Sequence, residues 1–308
     1  MKKFCIKLGL YALVALIVSN LIAVGCFMCL RNSDMFKPSF LIRNIPVDSE
    51  FDYVVLGTST AFTGIDTQLV DSLLQINGIN IALDGMSYEG QAMMLSHFIA
   101  HGFKTNYCIL GIDRSVSYKQ DVFSMNEFYF LPFINEDYVY DSFYNREHDW
   151  LKIRAYSRYC PILGLAYYNQ QLYFSSLLAA IKPHYRHRFN QKGNTAYPDT
   201  HLSSEQHEKT SDTITHVNNA VSAIEQICKD NNIKLIWYLP PRSGNTIVDS
   251  VFNQNRIIIN SRELFEGKED LFMYDFVHVN SKGRAKATMS LCDSLINRGL
   301  LMSKFTEN

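Results

Sequence analysis

Three side chains in this 308-residue chain are of the types that together activate a hydroxyl, and two of them lie three residues apart. Ser59 sits in GTSTAF (57–62), directly behind the apolar run DYVVL, while Asp275-Phe276-Val277-His278 places a carboxylate and an imidazole on one short segment. A three-residue spacing on a turn can bring the carboxylate beneath the imidazole, fixing its tautomer and leaving the second nitrogen free as a base. A serine within reach of that base is a nucleophile for acyl transfer. The same residue types also cap helices and form turns. The elements that carry them decide between these uses.

Strand-like DYVVLG (52–57) is followed by a helical stretch around Asp66 to Gln75, strand-like INIAL (79–83), a helix around Glu89 to His101, and strand-like YCILGID (107–113). Near-continuous apolar strands separated by helices predict a parallel sheet covered on both faces, with right-handed connections. The pattern resumes with a helix across Ser211 to Asn231, IKLIWYLPP (233–241) as a strand stopped by prolines, LFMYD (271–275) as a further strand, and a closing helix over Ser281 to Arg298. Ligands bind at the carboxyl ends of the strands in such a sheet. Ser59, Gly85, Asp113, Arg242, Asp275 and His278 all follow predicted strands, so the sheet would gather them at one edge.

The order of these residues also narrows the class. In α/β-hydrolases the serine lies in a GxSxG elbow with acid and histidine separated downstream, whereas here the serine follows the first strand and acid and base share one motif. The chain resembles the SGNH/GDSL hydrolase superfamily over roughly residues 52–115 and 233–298, through GTSTAF, ALDGMS and DFVHVNSKG. The resemblance implies a flavodoxin-like three-layer α/β/α fold. It would make Ser59 the nucleophile, His278 the general base, Asp275 its orienting partner, and Gly85 an oxyanion donor through its backbone N–H. At the family's third block, usually Gly-x-Asn-Asp, GIDR (111–114) puts Asp113 where an asparagine side chain donates to the oxyanion. An ionised carboxylate cannot donate. In this respect the chain is closer to membrane-anchored SGNH-like proteins of cell-envelope polymer acylation than to secreted lipases. The implied activity is removal or transfer of an O-acyl group on an envelope or extracellular polysaccharide, with an export or acyltransferase complex as a partner. Asp113 keeps open a catalytically silent, glycan-binding or scaffolding module, and a membrane-lipid esterase is the third reading.

From Leu8 to Leu30 no charge interrupts LGLYALVALIVSNLIAVGCFMCL, and about 20 apolar residues cross a bilayer as a helix. The expectation is a membrane anchor over 1–30, N-terminus cytoplasmic and main domain extracytoplasmic, in place of a cleaved signal peptide, whose apolar region is shorter. Ala23-Val24-Gly25-Cys26 also faintly resembles a lipoprotein cleavage site, but the apolar run continues past the cysteine. Residues 31–50, with Pro38 and Pro46, read as a linker to a domain over 51–308. Within that domain, 118–205 interrupts the alternation, and nineteen Phe, Tyr and Trp residues from Tyr118 to Phe189 are too many for a flexible tether. A mostly helical insertion with an aromatic core is expected there. With 29 basic and 30 acidic residues, charge offers no footprint for nucleic acid, and no nucleotide-binding glycine motif is present. No cofactor is implied. PHYRHR (183–188) spaces His184 and His187 like metal ligands on a helix, but nothing nearby completes a set, so it reads as a basic solvated face. The seven cysteines, including the Cys26–Cys29 CxxC, form neither a zinc pattern nor a disulfide framework.

Overall fold

The computed structural model describes residues 1–117, 124–146, 150–200, 212–243, 246–248 and 255–301. Parts of the expected insertion (118–123, 147–149 and 201–205) and the expected helix start at Ser211 lie outside the described residues. Contacts divide the chain into two units, Met1–Pro46 with Glu127–His187, and Val47–Asn126 with Arg188–Asn308.

The second unit is an α/β fold built on five parallel strands. These are β1 (Glu50–Leu56), β2 (Gly78–Asn80), β3 (Lys104–Gly111), β5 (Lys234–Leu239) and β7 (Ile257–Asn260), in the order β2-β1-β3-β5-β7. Counted along the chain, this is the 2-1-3-4-5 order of flavodoxin-type sheets. The strands are apolar on both faces because both faces are covered. Tyr53, Val55, Ile109, Ile236, Tyr238 and Ile259 pack on one side against Phe62, Val70 and Leu74 of the helices α3 (Ser59–Gly64) and α4 (Thr67–Leu74). Leu291 and Leu295 of the closing helix Ser281–Asn297 join the same cluster. On the opposite face Cys108 of β3 meets Cys228. Cys228 lies on the helix Asn219–Asp230, which packs beside α5 (Tyr88–Ala100).

Three expected elements differ. The helix expected from Ser211 begins only at Asn219, where the Asn218 side chain accepts from the Val221 N–H at 3.0 Å. Before it, β4 (Asp212–Ile214) pairs in parallel with β6 (Thr246–Val248) as a separate two-stranded sheet. LFMYD is not a strand. Glu269–Phe272 form one helical turn, and Met273 makes a lone antiparallel bridge to Val279. The fifth strand is instead β7, IIIN, at the sheet edge.

In the first unit, α1 runs from Lys2 to Arg31 and is long and apolar enough to cross a membrane. The expected linker is not irregular, for Lys37–Asn44 form α2 with a proline in its first turn, where a missing N–H costs nothing. Pro38, Ser39, Phe40 and Leu41 are buried. Glu127–His187 contribute a 3₁₀ segment (Glu127–Phe133) and the helices α6 (Asp137–Arg146), α7 (Ile153–Tyr156), α8 (Ile162–Tyr168) and α9 (Gln170–Ile181). The aromatics cluster in this unit: Phe36 stacks on Tyr129 at 4.3 Å, and Phe128 meets Phe36 and Tyr168. PHYRHR is a turn and not a helix. His184 Nδ1 lies 3.3 Å from the buried Asp34 carboxylate, and the His187 N–H donates to Met35 O. Among the described residues no cluster of three or more His, Cys, Asp or Glu side chains could hold a metal, and all seven cysteines are free.

Candidate active site

β1 ends at Leu56, and the chain turns at Gly57 into α3, whose first residue is Ser59. Gly57 has φ +148°, in the region that favours glycine, and a Cβ there would lie 2.6 Å from Ala61 Cβ. Gly111, at the end of β3, meets the same constraint, since its Cβ would lie 2.5 Å from Ala61 Cβ. Two glycines therefore let the start of α3 sit against the ends of β1 and β3. Because Ser59 opens the helix, its N–H precedes the first intrahelical bond, which the Ala61 N–H makes to Thr58 O at 3.1 Å. That N–H belongs to the end of a helix where donors lack intrahelical acceptors.

The acid and base are delivered by a tight loop closed by the Met273–Val279 bridge and by the Tyr274 N–H donating to His278 O at 2.8 Å. Asn280 anchors its far end. Fully buried, it accepts from the Gly283 N–H at 2.9 Å to cap the closing helix, and its amide donates to Leu271 O at 3.0 Å. Gly283 is required by a close approach, for a Cβ there would sit 2.0 Å from Phe272 O.

This loop brings His278 Nε2 to 2.7 Å from Ser59 Oγ, across 219 residues of sequence. On the other side of the ring, Nδ1 lies 2.8 Å from Asp275 Oδ2 and 3.0 Å from Oδ1. Asp275 Oδ1 also accepts from the N–H groups of Val277 (2.8 Å) and His278 (2.7 Å). Burial pushes the Asp275 carboxyl up, but the bond and charge of His278 and these two N–H groups together outweigh it and hold the group below the ordinary carboxylate range. The histidine side chain is 16 % exposed and the aspartate 36 %. Ser59, His278 and Asp275 thus form a continuous hydrogen-bonded chain in which the imidazole can take the serine proton.

The other residues singled out in the sequence are placed differently. Asp113 is held through its carboxylate by near neighbours. Its Oδ2 accepts from Thr58 Oγ1 at 3.0 Å, and its Oδ1 accepts from the Ser115 N–H at 2.8 Å and from the Ser115 hydroxyl. Its own N–H donates to Tyr88 OH at 3.1 Å. The carboxylate therefore braces the residue that precedes the serine. Gly85 is exposed with φ +58°, and the preceding carbonyl, Asp84 O, accepts from Asn126 Nδ2 at 2.6 Å. A trans peptide points the Gly85 N–H away from that carbonyl. Arg242 lies on the neighbouring loop, where its N–H donates to Arg262 O at 3.3 Å and the Ser243 N–H donates to Phe276 O at 3.1 Å.

Sequence reasoning missed four contributors. Asn126 braces the Asp84–Gly85 peptide, and Thr58 links Asp113 to the serine turn. Tyr197 lies with its ring 5.1 Å from that of His278 and stacked 4.2 Å over Tyr274. Arg188 Nη1 donates to Asp84 Oδ2 at 2.9 Å. Burial and the nearby Asp84 charge raise the Tyr197 phenol, against the opposing charge of Arg188. Thr58 lies within GTSTAF and Arg188 ends PHYRHR, which the sequence marks only as a basic solvated face, while Asn126 and Tyr197 come from stretches with no periodicity or spacing that points to the site. No protein-family model matches the chain, and no match was found among curated proteins.

Proposed function

We propose that the protein is a serine acyl esterase or O-acyltransferase of SGNH type, acting on an envelope or extracellular polysaccharide. The observation that carries this reading is the Ser59–His278–Asp275 chain, with links of 2.7 and 2.8 Å. His278 Nε2 takes the Ser59 proton as Oγ attacks an ester carbonyl. Backbone N–H groups of Ser59 and Gly85 are the candidate donors to the oxyanion. The imidazolium then returns the proton to the departing alcohol, leaving an acyl-serine. Water as acceptor completes hydrolysis; a sugar hydroxyl completes transfer. The occupied Asp113 carboxylate supports the enzyme reading over a silent module, because its role bracing Thr58 accounts for an aspartate at this position without loss of the serine and base.

The test is reaction of the full chain with a fluorophosphonate probe and turnover of short-chain aryl esters. Ser59→Ala and His278→Ala should each abolish both while leaving the thermal melt within a degree or two of wild type. Wild-type protein that neither labels nor turns over ester would leave the binding module as the better account, and preference for long acyl chains would favour a lipid esterase. The substrate implies an extracytoplasmic catalytic unit with the N-terminus cytoplasmic. A reporter active only outside the cytoplasm, fused after Asn308, should be active, and an inactive fusion beside an active cytoplasmic one overturns that orientation.

A further inference from the structure

The first unit carries an apolar surface that no part of the proposed chemistry uses. From Tyr159 to Ile181 the chain has no charged residue, and its second half forms α9. One face of α9 is buried through Leu172, Ser176 and Ala179, spaced to form a stripe that packs along α1. The opposite face presents Tyr173, Phe174, Leu177, Leu178 and Ile181 outward, with Phe174 62 % and Ile181 77 % exposed. α1 mirrors this arrangement. It buries Ala23, Cys26, Phe27 and Leu30 and exposes Leu21, Ile22 and Met28.

The two helices end together. The Asp34 N–H donates to Pro183 O at 2.6 Å and the His187 N–H donates to Met35 O at 3.1 Å, so the apolar runs of α1 and α9 give way to Arg31 and Lys182 at one level. At the other end, Asn20 Oδ1 accepts from the Ile162 N–H at 3.2 Å, at the first turn of α8. Asn20 is the one amide side chain inside the uncharged run of α1, and it satisfies a helix-start donor that would otherwise lack a partner in lipid. From Asn20 to Arg31, at about 1.5 Å per residue, is roughly 17 Å. The twelve residues of α9 are about 18 Å long by the same rise. Each is about half of a hydrocarbon core of roughly 30 Å.

We propose that α9 is a half-span: its outward face lies in the acyl chains of the leaflet crossed by the C-terminal part of α1, and the turn Lys182–His187 lies among the lipid phosphates. The sole occupant of this face is phospholipid. The argument rests on α1 crossing a bilayer, and extends that surface continuously onto a second helix. Lys182 and Arg186 in this turn then have a role that neither metal binding nor the catalytic site supplies, since long basic side chains near the ends of apolar helices reach the lipid interface.

The test uses the full chain reconstituted into vesicles of phosphatidylcholine and phosphatidylglycerol containing a phosphatidylcholine with a diazirine in its acyl chain. After irradiation, peptide mass spectrometry should find lipid adducts both on α1 and on residues 170–181. Adducts on α1 alone overturn the half-span while keeping the anchor. Loss of α9 labelling together with a short-linker cross-link between α9 and another chain assigns the face to a protein partner and also overturns it. Absence of adducts from both helices refutes the anchor and the half-span with it.

Discussion

Replacing Asp275 by asparagine exchanges one carboxylate oxygen for an amide nitrogen of nearly the same shape and yet should slow the reaction sharply, for a reason the hydrogen bonds make explicit. Oδ1 accepts from the N–H groups of Val277 and His278 at 2.8 and 2.7 Å, so that position must remain an oxygen. The amide nitrogen then takes the place of Oδ2, 2.8 Å from His278 Nδ1. Oδ1 also lies 3.0 Å from Nδ1 but already accepts from two backbone N–H groups, and an amide N–H facing the ring's own N–H is repulsive, so the imidazole moves its proton to Nε2, the atom that must accept from Ser59. Flipping the amide restores the working tautomer but leaves two backbone donors without an acceptor. At about 1–3 kcal/mol each, the flipped form lies about 2–6 kcal/mol higher, and partial exposure of Asp275 favours the lower half of that range. With about 1.36 kcal/mol per tenfold, kcat/KM should fall roughly 30- to 10⁴-fold on a short-chain aryl ester, with the melt little changed. The depressed titration of Asp275 sharpens the comparison. Its contribution to stability is present above the unfolded carboxylate pKa and is lost only as pH falls through the lower, folded value, so the wild type keeps this orienting charge through mild acid. An Asp275→Asn protein within threefold of wild-type kcat/KM would refute His278 as a base held by this carboxylate.

Two further substitutions probe the turn beneath the serine. Asp113→Asn keeps one acceptor for Ser115 and can donate to Thr58 Oγ1, so aryl-ester turnover should stay within about tenfold of wild type; Asp113→Ala removes every acceptor and should lower stability by about 1–2 kcal/mol along with turnover, as read by denaturant melts and initial rates, while an inert Asp113→Ala would show that the Thr58 link is dispensable. Gly57→Ala must place a Cβ against Ala61 in a backbone region that side chains avoid, at a cost of about 2–4 kcal/mol; an unchanged denaturation midpoint would contradict this account of the turn.

The alternation of apolar strands and helices over 52–113, the helices Thr67–Leu74, Tyr88–Ala100 and Ser281–Asn297, and the uncharged run of α1 were legible because burial imposes periodicity and length on sequence directly. Ser59 with Asp275 and His278 was legible for a similar reason: a carboxylate three residues before a histidine can meet it locally, and strand ends are where a parallel sheet collects ligands. Other features depended on contacts between distant residues. IIIN (Ile257–Asn260) is only a four-residue edge strand, and LFMYD satisfies its backbone through a bridge and a helical turn, so neither local pattern marks its pairing. The Asp113 side chain could have faced solvent, substrate or Arg242 at the same sequence position. It is the approach of β3 to the start of α3, permitted by Gly57 and Gly111 lacking side chains, that places Thr58 within its reach. Tyr197 and Asn126 reach the surroundings of His278 and Gly85 from loops with no repeating pattern. Periodicity encodes which face of an element is buried, but the partner of a polar side chain is decided by which backbones the packed core brings within 3 Å.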